Sequence, residues 1–156
     1  MSTRGKISKC DDFNTPAEAW DLIMKHIDLT GKKVWCPFYN DGKITFNHND
    51  IIHQEKDFFT YVPDEYDYII DNSPFSIKKE VLIRCVALKK PFALLLPIET
   101  IERKYFKLLV QGQDFTMIIP NKRYNFKGGN NKKNVMFKSC WYCFGFGFDK
   151  QLIFED

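Results

Sequence analysis

No stretch limits the fold of this chain as tightly as Tyr66-Asp67-Tyr68-Ile69-Ile70-Asp71-Asn72-Ser73-Pro74-Phe75-Ser76. Its opening, dominated by Tyr and Ile, reads as a buried strand. Pro74 lacks an N–H and restricts the residue before it, so the strand has to stop there. Asn72 to Phe75 then stand as a stiff turn at the strand's carboxyl end, where open α/β sheets bind their ligands. Such a turn suits a planar amino group. The Asn72 carboxamide oxygen and the Ser73 backbone carbonyl are both acceptors for one NH₂. Phe75 is placed to lie flat on the ring that carries the amine, a contact worth roughly 1–3 kcal/mol per base.

Similar punctuation marks the rest of the chain. Thr15-Pro16 precedes a segment in which Trp20, Ile23, Met24 and Ile27 recur at helical spacing, which predicts an amphipathic helix over 17–27. Thr15 is the expected N-cap, with Glu18 closing a capping box. Residues 34–38 form a short apolar strand that runs into a loop ending at Gly42. A second strand is expected over 51–53, a helix over 77–88, and a fully buried parallel strand over 92–97. A further helix is expected over 102–110, then strands over 115–120 and 136–148. Lys43 to Asn49 leaves room for only one or two helical turns.

At 156 residues and 18.5 kDa, one domain over 11–156 is expected behind a frayed tail over 1–10. Aromatic content of 16% argues against disorder. No apolar run approaches the ~18–20 residues that span a bilayer, and the first residues carry no apolar core of a signal peptide, so an intracellular, cytoplasmic protein is expected. Five scattered cysteines make no disulfide framework. In a strand, Cys140-Trp141-Tyr142-Cys143 sends its two thiols to opposite faces, so core packing is the better reading than metal binding. His26, His48 and His53 show no ligand spacing. The net charge of +3 permits nucleic acid as a partner. The linker over 121–133 mixes Lys122, Arg123, Lys127, Lys132 and Lys133 with Tyr124 and Phe126, a combination suited to phosphates and bases.

Asn72-Ser73-Pro74-Phe75 resembles the (Asp/Asn/Ser)-Pro-Pro-(Tyr/Phe/Trp) motif of S-adenosylmethionine-dependent amino-methyltransferases. Ser73 replaces the first proline but keeps the backbone carbonyl. The resemblance extends to Phe13-Asn14-Thr15-Pro16, which is similar to the segment that cradles the methionine end of the cofactor. It also takes in the strand followed by Pro37 and Gly42, where Cys36 stands in place of the usual acid. Glu55 is the matching candidate for the ribose hydroxyls, and Asp57-Phe58 resembles the pair that meets the adenine amine and ring.

The resemblance runs over residues 11–148 and is closest to small phage-type adenine-N6 methyltransferases of nucleic acid. It implies an α/β fold, a reduced class I methyltransferase (Rossmann-like) with a mostly parallel sheet, an antiparallel C-terminal strand and at least one helix missing. It implies S-adenosylmethionine as cofactor and Asn72, Ser73, Pro74 and Phe75 as catalytic residues. The cofactor set would be Phe13, Thr15, Pro16, Pro37, Gly42, Glu55, Asp57 and Phe58. Lys122, Arg123, Lys132 and Lys133 would meet nucleic acid, DNA before RNA, with a protein partner or a second copy of the chain left open and no membrane expected. Two alternatives stand beside it: a methyltransferase-like binding protein that has lost catalysis, and a methyltransferase of protein glutamine.

Overall fold

The computed structural model of the protein describes residues 13–40, 42–124, 127–128 and 138–156. Two-residue β1 (Phe13–Asn14) leads into α1 (Ala17–His26). Three short or medium strands follow, β2 (Val34–Trp35), β3 (Ile51–Ile52) and β4 (Tyr68–Asn72). A 3₁₀ turn at Phe75–Ile77 opens α2 (Lys78–Leu88), and β5 (Phe92–Pro97) comes next. After a second 3₁₀ segment, Ile98–Glu102, come α3 (Lys104–Val110) and β6 (Phe115–Ile119). The chain closes with β7 (Lys127–Gly128), β8 (Ser139–Phe144) and β9 (Leu152–Phe154). No helix among the described residues is long and apolar enough to cross a membrane.

Seven strands form one sheet in the order β3-β2-β4-β5-β8-β6-β9, and β1 pairs with β7 apart from it. β3, β2, β4 and β5 are mutually parallel, β8 is antiparallel to both neighbours, and β6 and β9 are parallel to each other. The fold is therefore α/β with a mostly parallel sheet. The antiparallel strand is not the last one: β8 is inserted between β5 and β6, and β9 extends the sheet beyond them. The strand expected over 136–148 ends at Phe144, because Gly145 (φ +86) and Gly147 (φ +72) turn the chain out of it.

Both faces of the sheet are covered, which explains the continuous apolar runs of β4 and β5. Alternation along the strands assigns each side chain to a face. Ile70, Ala93, Leu95, Trp141 and Cys143 pack with Ala19, Trp20, Leu22 and Ile23 of α1. Ile69, Leu94, Leu96, Cys140 and Tyr142 pack with Val81, Leu82 and Cys85 of α2 and with Phe106 of α3. Cys140 and Cys143 thus lie on opposite faces as thiols of the core, as a strand requires. The Trp141 indole N–H donates to the Ala19 carbonyl at 2.9 Å and locks α1 to the sheet.

One local expectation is corrected. Pro16, with ψ 149, is the residue that flanks α1, and no side chain caps the helix. Thr15 instead accepts at its carbonyl from Thr45 Oγ1 (2.8 Å), while Glu18 pairs with Lys122 (2.9 Å). Among the described residues no helix joins β2 to β3. An irregular loop does its work: Phe46 is buried and stacks on Trp20, with ring centroids 4.6 Å apart and planes 3° off parallel.

Candidate active site at the carboxyl ends of β2, β3 and β4

Asp71 organises this end of the sheet. The side chain is 4% exposed, one residue before the end of β4. Its Oδ2 accepts from the Phe38 backbone N–H at 2.8 Å and its Oδ1 from that of Asn72 at 2.7 Å. One carboxyl group thereby clamps the loop after β2 to the Asn72–Phe75 turn. Burial pushes its pKa up to about 8, against the pull of the two N–H donors. Burial also raises the Cys36 thiol well above its ordinary range, and the neighbouring Asp71 charge adds to this. A thiol held neutral in this way is packing, not a nucleophile.

The loop after β2 turns back beneath its own tyrosine. Gly42 has φ +80, which favours glycine, and a Cβ there would lie 2.7 Å from Tyr39 Oη, so the tyrosine would have to shift. Its N–H donates to the Tyr39 carbonyl at 2.8 Å. The Tyr39 ring stacks on His53 at 5.1 Å, and Phe38 packs on Phe58 at 5.2 Å. Residues 13–16 join the same cluster. Asn40 Nδ2 donates to Asn14 Oδ1 at 3.3 Å, and β1 pairs Phe13 with Gly128 and Asn14 with Lys127. The Phe-x-Thr-Pro segment, the Pro37–Gly42 loop and the Asn72–Phe75 turn are therefore brought to one end of the sheet.

Three buried polar atoms at this end have no hydrogen-bond partner: Asn72 Oδ1, Asp57 Oδ2 and His53 Nε2. Asp57 has spent its other oxygen on the Phe59 N–H, at 2.9 Å. His53 Nδ1 lies 3.0 Å from the Cys36 carbonyl, which can only accept, so Nδ1 carries a proton, and in the neutral tautomer Nε2 is an acceptor. All three orphans are acceptors. Buried acceptors without donors cost about 1–3 kcal/mol each, so several of them at one end of a sheet suit a ligand rich in N–H and O–H groups.

No protein-family model matches this chain, and no curated protein does. The remaining candidate residues fall as follows. Ser73 is buried, with its hydroxyl donating to the Pro74 carbonyl at 3.3 Å, and Pro74 is buried beside it. Phe75 is half-buried at the start of its 3₁₀ turn. Pro37 is buried, Thr15 and Pro16 are half-buried, and Glu55 is exposed beyond β3. Phe58 is 4% exposed, its ring engaged by Trp35 and Phe38, while the Asp57 carboxylate beside it keeps an unpaired oxygen. Lys122 and Arg123 are exposed, and Lys132 and Lys133 lie outside the described residues. Among the described residues no group of three or more His, Cys, Asp or Glu is disposed to hold a metal.

Sequence reasoning missed Asp71 and His53. A lone acid in an apolar strand run was the available sign of the first. The second had none beyond its place just after a short strand.

Proposed function

We propose that the protein is an S-adenosylmethionine-dependent methyltransferase of the adenine N6 amine in nucleic acid, built on a reduced class I fold. The observation that carries this is the trio of buried, donorless acceptors at the carboxyl ends of β3 and β4 and in the loop after β3. The trio suits a ligand that brings an aromatic amine, ribose hydroxyls and an ammonium group. Asp57 Oδ2 would take the cofactor's adenine amine, His53 Nε2 a hydroxyl, and Asn72 Oδ1 the amine of the target base. Residues 13–16 and the Tyr39–Gly42 turn would border the methionine end. The antiparallel β8 against a parallel β2–β5 array also supports the class I reading.

When bound, the cofactor supplies an activated methyl group on a sulfonium centre. The chain has to present the amine and keep water out. Asn72 Oδ1 and the Ser73 carbonyl accept from the NH₂, which holds it in one orientation and keeps electron density on nitrogen. Phe75 covers the ring. The N–C bond would form as the S–C bond of the sulfonium breaks, leaving a neutral thioether, and the amine would lose one proton to solvent, so no strong base would be needed. A base within a duplex has to be flipped out first, at a cost of a few kcal/mol.

A second reading has one observation in its favour. Cys36 is 0% exposed and neutral, so the end of β2 offers no carboxylate to the cofactor. A fold that binds without turnover would tolerate that. Calorimetry with S-adenosylmethionine, followed by transfer of labelled methyl to DNA, RNA and peptide substrates, separates the two. Binding and label in N6-methyladenine support the proposal; binding without label supports the non-catalytic reading; label on glutamine overturns the choice of substrate.

A further inference from the structure

A groove of about 610 Å³ opens one residue beyond the Asn72–Phe75 turn. It lies between the start of α2 and the start of α3, and Ser76 forms its near end. Its walls carry four cations, Lys78, Lys79, Arg103 and Lys104, against one carboxylate, Glu80. Lys79, Arg103 and Lys104 are exposed. The Lys122–Glu18 ion pair lies elsewhere. Lys78 Nζ donates to the Phe75 carbonyl at 3.4 Å and ties the groove to the turn.

The cations are set where they oppose the helix. Lys78 and Lys79 occupy the first turn of α2, which no side chain caps. The N-terminal end of an eleven-residue helix carries partial positive charge, so each lysine there is unfavourable by a few tenths of a kcal/mol, and Glu80 is the one acidic residue of the same turn. Tyr105 adds a flat apolar surface. The Lys79 ammonium lies 5.8 Å from its ring centroid, and its hydroxyl is buried without a partner. Cations interleaved with an aromatic beside a site for a base are the features of a surface that tracks a nucleic-acid backbone.

We infer that this groove carries the phosphodiester backbone of the substrate strand and delivers a base to the Asn72 turn. The inference rests on the methyltransferase reading for what happens at the turn, but it concerns a surface which that reading does not use. It moves the main backbone contact from the 121–133 linker, whose Lys122 is engaged by Glu18, to α2 and α3.

The test is the salt dependence of DNA binding, with a 20-mer single strand and the matching duplex as probes. The triple variant Lys79→Gln, Arg103→Gln, Lys104→Gln is compared with the parent. Each phosphate contact removed lowers the slope of log K against log salt by about 0.7 on single strands and about 0.9 on duplex. The inference predicts a slope reduced by roughly two to three units on duplex for the three cations lost, with S-adenosylmethionine affinity by calorimetry unchanged as the check on folding. An unchanged slope, or a parent that shows no salt-dependent binding to either probe, overturns it. A groove-dependent slope in a protein that transfers no methyl group would uphold the groove and defeat the proposed activity, so the two failures are distinct.

Discussion

Asn72 Oδ1 is buried and has no donor, which makes it the residue on which the proposed chemistry turns. Asn72→Ala removes the acceptor and touches no core side chain. Methyl transfer is expected to fall on the order of 100-fold or more, because an unheld amine loses its attack geometry. Cofactor affinity and the melting midpoint are expected to stay near the parent's; turnover at parental rate would place the catalytic turn elsewhere. Asp57→Asn is the sharper change at the proposed cofactor site. It leaves one oxygen for the Phe59 N–H and turns the other acceptor into a donor, so S-adenosylmethionine should bind roughly 10- to 100-fold more weakly, as expected for a hydrogen bond to a charged group. Calorimetry at equal affinity for variant and parent would remove Asp57 from the site. Asp71 bears on pH. Its folded pKa, about 8, stands above the ordinary 3.8, so the folded state holds the proton more tightly than the unfolded one. Its contribution is complete below about pH 4 and is lost as pH rises through about 8. The melting temperature of the parent is expected to fall between pH 6 and pH 9 by more than that of Asp71→Asn; equal falls would mean that Asp71 does not titrate in this window.

At the scale of the element, α1 was readable because Trp20, Ile23 and Ile27 repeat at helical spacing and are buried. The predicted range, 17–27, overran the observed helix by one residue. Its cap was not readable: the Thr-Pro-x-Glu pattern fits a capping box, but Thr45 and Lys122, both far off in sequence, take Thr15 and Glu18 away. β4 and β5 were legible as continuous apolar runs. β9 was not, since Leu152 is 46% and Phe154 66% exposed and three residues at a sheet edge leave no apolar signature. The same logic hid Asp71. An acid in a strand ordinarily marks the wet face, yet a parallel sheet covered on both sides has no wet face. Nor does anything in residues 42–50 announce that Phe46 will stack on Trp20. That stack yields a stability prediction. Trp20→Ala removes a side chain 2% exposed between Phe46 and Trp141 and should cost about 3–5 kcal/mol in urea unfolding. A loss below 1 kcal/mol would mean that the loop does not depend on this contact.

Over the whole molecule, charge and topology point the same way. The parallel half of the sheet gathers residues 13–16, the loop after β2, Asp57 and the Asn72 turn at one end. The cationic groove opens beside that turn, and β7 of the linker pairs with β1. A net charge of +3 is small, so the arrangement of the cations matters more than their number. The measurement that reaches furthest is a single-turnover reaction with labelled S-adenosylmethionine and adenine-containing DNA, followed by digestion to nucleosides. The parent should place the label in N6-methyladenine, and Asn72→Ala, with the cofactor still bound, should place there on the order of 100-fold less. Cofactor bound by the parent with no label in any nucleoside, or equal labelling by the two proteins, would contradict this account of the site.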